Sequence, residues 1–350
     1  MKTFVIAVFA LFGLAQTAHA TTSSPFSTII AFCDSLSDIG NVAGITIPGN
    51  APVVEGYYQE THYSDDIIWI EYLADYWGLP APTPGRGDTT SLPPEPDGTS
   101  WAWGGAEAAA GTTQTPSVTG PYPNLLVQTE QYLLNNRPDR DALFVMWCGA
   151  DNLLVSGEFG PQAARDAVAT VIGAMRALER AGARNFLVVN MPKLGVTPFA
   201  IGGGPATQLA ANLYSLAYNS FMDFRLALLR ADPRFRANLY FANAYTELAL
   251  MVDTVNSGEP YVPAFFVPGP PVVIDNVTDQ ALDVFNETGA FPKHYLWMDG
   301  VHPTTEGHQI IAGKMLQAVA GAGSRHMRRG RDRHRLRAWD DRMPHPERAY

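Results

Sequence analysis

The apolar positions of this chain follow two rhythms that alternate along most of its length. Short β-branched or apolar runs occur at residues 27–32 (Ser-Thr-Ile-Ile-Ala-Phe), 142–147 (Ala-Leu-Phe-Val-Met-Trp), 185–190 (Asn-Phe-Leu-Val-Val-Asn) and 237–241 (Ala-Asn-Leu-Tyr-Phe). Runs of that length without polar alternation predict buried strands. Between them, apolar residues recur at helical spacing. Ile67, Ile68, Tyr72, Leu73 and Trp77 form one such set, and residues 125–134 a second. A third stripe, Ala164, Ala167, Val168, Val171, Ile172, Met175 and Leu178, is opened by Pro161 and closed by Gly182, the Pro-first, Gly-last asymmetry of a helix. Leu209, Leu213, Leu216, Phe224 and Leu228 mark a further long helix.

Strands that alternate with helices and are apolar throughout imply a mostly parallel sheet covered on both faces. In such sheets ligands bind beyond the carboxyl ends of the strands. Two stretches break the rhythm. Residues 79–99 are rich in Pro, Gly and Thr and read as loop. Residues 257–296 scatter Pro260, Pro263, Pro268, Pro270 and Pro271 among Tyr261, Phe265, Phe266, Val272 and Ile274 and read as an irregular insertion, either stapled to the core by its aromatics or acting as a lid. No internal repeat or boundary divides the rest, so residues 21–323 are expected to form one domain.

Composition changes this picture at the two ends. Lys2, an apolar run over residues 4–15 and Ala18-His19-Ala20 have the charged, apolar and small-residue order of a secretory leader cut after Ala20. Export to the periplasm or medium is therefore expected. Residues 324–350 carry nine Arg against four acidic residues, whereas the whole chain has a net charge of −10. That tail reads as a solvated, disordered extension, with transient contact to an anionic membrane surface as the sharper alternative. An acidic body argues against nucleic acid as the ligand. Eight scattered His without ligand spacing give no reason to expect a metal.

The chemistry lies in two distant segments. Asp34-Ser35-Leu36-Ser37 follows the first strand, and Asp299-Gly300-Val301-His302-Pro303 sets a carboxylate three positions before an imidazole. A serine hydroxyl is protonated at neutral pH and becomes a nucleophile only when an imidazole takes its proton and a third group holds that imidazole in one tautomer. An Asp three residues before a His on a turn can fold back to its Nδ1. Asp34 and Asp38 read instead as local turn or cap acceptors.

Phe32-Cys33-Asp34-Ser35-Leu36-Ser37-Asp38-Ile39-Gly40-Asn41 resembles the nucleophile block of the GDSL, or SGNH, hydrolases. Trp101-Ala102-Trp103-Gly104-Gly105-Ala106 is similar to their second block, and Asp299-Gly300-Val301-His302-Pro303 to their last. Asn190-Met191-Pro192-Lys193-Leu194-Gly195 and the Tyr57-Tyr58 region leading into Trp69 resemble the phospholipase, lecithinase and hemolysin branch. The resemblance implies a three-layer α/β/α, flavodoxin-like fold with Ser35 as nucleophile, His302 as general base and acid, and Asp299 as its orienter. It also implies an oxyanion hole that includes the Ser35 and Gly105 backbone N–H groups, and no cofactor. The implied reaction is cleavage of a carboxylic ester, with lipid or other acyl esters favoured; the rival is a catalytically impaired relative that binds esters or carbohydrates.

Two departures from the family pattern stand out. Its third block, Gly-x-Asn-Asp, is Gly149-Ala150-Asp151-Asn152 here, so a carboxylate stands where an amide should donate. Three outcomes follow: a backbone slip brings Asn152 into the role, Asp151 is held protonated, or the hole is impaired. The first is the preferred expectation. The second departure is Cys33 in place of glycine. If the sheet has the family's order, Cys33 and Cys148 end neighbouring strands and lie within reach of a disulfide.

Overall fold

In the computed structural model, residues 24–42, 62–85, 98–113, 122–264, 267 and 271–326 are described. The expected leader over 1–20, the Tyr57-Tyr58 region, Phe265, Phe266, Pro268, Pro270 and the chain beyond His326 lie outside them.

The elements in chain order are β1 (Ile29–Cys33), α1 (Trp69–Trp77), β2 (Thr112–Thr113), β3 (Tyr122–Pro123), α2 (Leu125–Asn135), β4 (Leu143–Trp147), α3 (Ala150–Leu154), α4 (Pro161–Ala181) and β5 (Asn185–Val189). They continue with α5 (Pro198–Gly202), α6 (Gly204–Ala231), β6 (Asn238–Ala242), α7 (Ala244–Asn256), β7 (Asn276–Gln280), α8 (Ala281–Thr288), β8 (Tyr295–Trp297) and α9 (Thr305–His326). The central sheet has the order β1-β4-β5-β6, and every pair is parallel. Successive strand residues point to opposite faces, and here both faces are apolar. Ile30, Phe32, Phe144, Met146, Phe186 and Val188 pack with α2, α4 and α6, while Ile29, Ala31, Leu143, Val145, Leu187 and Val189 pack with α1 and α9. The result is an α/β fold with helices on both sides of the sheet. Each large side chain buried this way contributes roughly 1.5–3 kcal/mol, so an Asp at Val171, fully buried on α4, would disrupt the layer.

Beside β1 on its free edge runs a short extended segment. Ala31 N–H donates to Thr99 O (2.9 Å), Trp101 N–H to Ala31 O (2.8 Å) and Trp103 N–H to Cys33 O (2.7 Å). These parallel-type bonds carry residues 104 and 105 to the carboxyl end of β1. The Ser35 turn, the Gly104-Gly105 segment and the loop after β4 thus meet at one rim of the sheet.

The structure departs from the sequence reading in three places. α6 is present, but Leu209, Leu213, Leu216, Phe224 and Leu228 form its exposed side; the buried side is Ala211, Tyr214, Ser215, Tyr218, Met222, Leu226 and Leu229. Two tyrosines outweigh an aliphatic stripe there because their hydroxyls reach carbonyls that burial would otherwise orphan. Within 257–296, β7, α8 and β8 form a short parallel β-α-β unit, and Tyr261 bridges to Ile274. Tyr261, Val272, Ile274 and Val277 pack against Met251 and Val252 of α7 and Ile310 of α9, so the described part of this stretch is stapled to the body. Its strands are too short and too polar, Asn-Val-Thr-Asp-Gln in β7, to show a period. Finally, the apolar pattern did not mark α7 and α9. In α9 small and polar residues, Gly307, His308 and Gln309 among them, are buried between its aliphatics, which erases the stripe. Among the described residues no helix is long and apolar enough to cross a membrane.

Candidate active site

β1 ends at Cys33, whose φ of 108° lies in the left-handed region that favours glycine. The chain then turns, with Ser37 N–H on Asp34 O (3.1 Å) and Leu36 N–H on Asp34 Oδ1 (3.2 Å). Asp38 bolts this turn to its neighbours: its carboxylate accepts N–H bonds from Gly40 (2.9 Å), Asn41 (2.7 Å), Val42 (3.2 Å) and Gly104 (2.9 Å). Asn41 Nδ2 donates to the carbonyls of Ser100 (2.9 Å) and Ala102 (2.7 Å), Ser100 Oγ to Ser37 O (2.6 Å) and Trp69 Nε1 to Leu36 O (2.8 Å). Gln128 of α2 clamps Cys33 from below, accepting from its N–H and donating to its carbonyl, both at 2.9 Å. No sequence signal marked Gln128, because the match depends on α2 crossing behind β1.

On this turn Ser35 is 8% exposed, and its Oγ lies 2.7 Å from His302 Nε2. His302 Nδ1 lies 2.6 Å from Asp299 Oδ2. The other oxygen, Asp299 Oδ1, accepts the N–H groups of Val301 and His302, both at 2.7 Å, so the turn itself orients the carboxylate. Met298 N–H on His302 O (2.8 Å) and Ser64 Oγ on Pro303 O (3.2 Å) anchor the segment. Tyr63 packs on the imidazole with ring centroids 4.9 Å apart. Ser35, His302 and Asp299 thus form a continuous hydrogen-bonded relay.

Gly105 also reaches the site. It has φ +81°, and a Cβ on Gly104 would lie 2.0 Å from the Tyr63 hydroxyl, so this close approach requires glycine. Among the described residues, neither the Ser35 nor the Gly105 N–H donates to a protein acceptor. Both residues line the same cavity.

Asn152 does not reach the site. Its Oδ1 accepts the N–H of Ala108 (2.9 Å) and its Nδ2 donates to Glu158 (3.2 Å). The expected slip fails because α3 begins at Ala150, and consecutive helical residues project about 100° apart. Asp151 therefore faces the cavity with Ser35 and Gly105, and Asn152 ties α3 to the loop behind. Burial pushes the Asp151 carboxyl well above the usual range, helped by the nearby charges of Asp34 and Glu107. Burial also raises Asp34 to about 7, against the opposing pull of the Leu36 N–H and the charge of His302. Asp38 is raised to about 6 by burial despite its four N–H donors.

Cys33 and Cys148 are joined by a disulfide with Cα atoms 5.3 Å apart, within the range such a bridge allows. It links the Ser35 turn to the loop that precedes Asp151. Two buried tyrosines of α6 hold the same loop, Tyr218 donating to Cys148 O (2.6 Å) and Tyr214 to Gly149 O (2.7 Å).

The cavity has a volume of about 380 Å³, in the range of sites for small organic ligands. From Ser35 and His302 it reaches between α7 and α9 past Val189, Leu248, Met251, Ile311 and Met315. At its far side Lys314 pairs with Glu247 (2.5 Å), which also accepts the Tyr261 hydroxyl.

Comparison with known protein families gives a match over most of the chain. The family model described as GDSL-like lipase/acylhydrolase matches residues 29–315. Three relatives are similar at low identity. A phosphatidylcholine-sterol acyltransferase of Aeromonas hydrophila is 28% identical over 202 residues, 57% of this chain and 54% of that protein. A thermolabile hemolysin of Vibrio parahaemolyticus is 23% identical over 295 residues, 83% of this chain and 63% of that protein. An uncharacterized protein from the trpE-trpG intergenic region of Pseudomonas putida is 28% identical over 310 residues, 83% of this chain and 48% of that protein. The chain thus spans between about half and under two thirds of the length of these relatives.

Proposed function

Since the chain belongs to the GDSL-like lipase/acylhydrolase family, we propose that it is an exported serine hydrolase that cleaves acyl esters of lipids through an acyl-enzyme. The observation that carries this reading is the relay from Ser35 Oγ through His302 to Asp299, with steps of 2.7 and 2.6 Å. As Ser35 Oγ attacks the ester carbonyl, its proton passes to His302 Nε2 and the carbonyl π electrons move onto oxygen. Asp299 keeps the tautomer and offsets the imidazolium charge. The N–H groups of Ser35 and Gly105 meet the oxyanion. Collapse expels the alcohol, protonated by His302, and leaves the acyl group on Ser35. Water repeats the sequence to release the acid, and a second alcohol in place of water would make the same site an acyltransferase. No step calls for a metal.

The lipid assignment rests on the apolar cavity and on exposed apolar side chains of α5 and α6. Phe199 lines the cavity and is 46% exposed; Ile201 of α5 and Leu209, Leu213 and Leu216 of α6 are exposed as well. Apolar patches of this kind commonly mark contact with a partner or a membrane. The names of the Aeromonas and Vibrio relatives fit a lipid substrate. Export rests on the leader-like residues 1–20 and on the pairing of Cys33 with Cys148, since disulfides persist outside the reducing cytosol.

Incubation with a fluorophosphonate followed by mass analysis tests the chemistry. One adduct on the Ser35 peptide is expected, and none in Ser35→Ala. A folded, unlabelled wild type would favour a binding role over an enzyme. Rates on acetyl, medium-chain and phospholipid esters test the substrate, with medium-chain or phospholipid esters expected to exceed acetyl esters in kcat/KM.

A further inference from the structure

We propose that the carboxyl O–H of Asp151 is the third donor to the oxyanion. The inference rests on the acyl-transfer reading above and assigns one more residue to it. Asp151 lines the cavity together with Ser35 and Gly105. It is 7% exposed, and its Oδ2 is buried without a hydrogen-bond partner. Such an atom normally costs stability, and the cost is far greater for an ionised carboxylate than for a neutral acid. The residue that could have replaced it, Asn152, is committed to Ala108 and Glu158.

The surroundings decide the protonation state. Asp34 from the β1 turn and Glu107 from the loop before β2 bring further carboxylates, with Glu158 beyond α3. α6 contributes only the neutral phenols of Tyr214 and Tyr218. Among the described residues lining the cavity, His302 is the group that takes up a proton during the proposed reaction. Among the described residues the only Lys or Arg lining the cavity is Lys314, which is paired with Glu247. Burial, with the neighbouring charges of Asp34 and Glu107 and no fixed cation beside it, pushes Asp151 toward its acid form. An ionised carboxylate would repel the oxyanion and offer no hydrogen. A neutral acid donates as an asparagine amide would, and its proton stays on Asp151 throughout, so the atom balance of the acyl transfer is unchanged.

The test is the pH profile of kcat on a soluble short-chain p-nitrophenyl ester. Wild type should lose kcat as pH rises and Asp151 ionises. Asp151→Asn, nearly the same shape, should abolish this alkaline limb while keeping neutral-pH kcat within about tenfold. Asp151→Ala should lower neutral-pH kcat about 10²–10³-fold, the usual cost of one oxyanion donor, with KM within about threefold, and should converge on wild type as pH rises. Asp34→Asn should keep the limb but move it to lower pH, because one neighbouring negative charge is gone. The assignment is overturned if the limb survives in Asp151→Asn, if Asp151→Ala keeps kcat within about threefold, or if Asp151→Asn raises neutral-pH kcat about 100-fold, which would mean an ionised, obstructive carboxylate. Fluorophosphonate labelling of wild-type Ser35 separates the two readings: labelling with an unchanged limb sinks only the role of Asp151, and no labelling sinks the enzyme.

Discussion

The two walls of the proposed catalytic cavity, one for the relay and one for the oxyanion, are built in opposite ways. On the relay wall, a five-residue turn supplies base and orienter together, and Asp299 satisfies two backbone N–H groups of its own turn while holding His302. Its geometry is local. On the oxyanion wall, Asp151 sits on a short helix whose preceding loop is held by a disulfide to β1 and two tyrosines from α6. Its geometry is imported from two distant parts of the chain. A local turn keeps its shape under most distant substitutions, whereas an imported wall can be altered from afar and can tolerate an unusual residue such as Asp151.

The sharpest break of the relay wall is Asp299→Asn. It keeps the turn but presents the wrong tautomer partner to His302, and kcat should fall about 10⁴-fold with little change in KM on a soluble ester. A loss under tenfold would mean another group orients the imidazole.

The oxyanion wall should respond to its disulfide. The bridge closes a span of 115 residues, for which loop-closure entropy gives about 4–5 kcal/mol of stability. Urea unfolding of Cys33→Ser/Cys148→Ala should show a loss of that order, and titration of denatured, unreduced wild type should find no free thiol. Cys33→Gly/Cys148→Ala should lose about 1 kcal/mol less, because glycine adopts the φ of 108° at residue 33 without strain. Equal losses would refute the backbone argument.

Asp38 ties the Ser35 turn to Gly104, and its contribution depends on pH. Burial raises its pKa from 3.8 to about 6 in the folded state, so the folded protein holds the proton more tightly than the unfolded chain. That stability is fully present below pH 3.8 and is lost as pH rises through about 6. It amounts to about 3 kcal/mol. Urea midpoints between pH 4 and 7 should show this fall, and Asp38→Asn should remove its share of the slope.

The smallest effect concerns the outer side of the helix that holds the oxyanion wall. Leu209→Ser/Leu213→Ser/Leu216→Ser changes only exposed positions of α6. Hydrolysis of phospholipid vesicles should drop about five- to tenfold, a kcal/mol or so of surface affinity, while turnover of a soluble ester stays constant. Parallel loss on both substrates would point to damage inside the fold instead.

Apolar runs and stripes read as residues 27–32, 142–147, 185–190 and 237–241 and the helices between them correspond to β1, β4, β5 and β6 with α1, α2, α4 and α6, because fully buried parallel strands carry an unbroken apolar signal. Ser35, Asp299 and His302 were legible for a related reason: each lies in a contiguous block whose spacing encodes its own turn. The side of α6 that is buried, the existence of α7 and α9, and the choice between Asp151 and Asn152 were not legible in this way. Those depend on which surface a neighbouring element covers, where a hydroxyl finds a carbonyl, and how a helical turn rotates two adjacent side chains. By itself the amino-acid order determined the central strands, four of the helices beside them and the Asp299–His302 turn, since local periodicity and short-range hydrogen bonding specify them. Only the packed tertiary structure decided how the oxyanion wall is composed and charged, because burial and the proximity of Asp34 and Glu107 to Asp151 arise between segments that no local pattern relates.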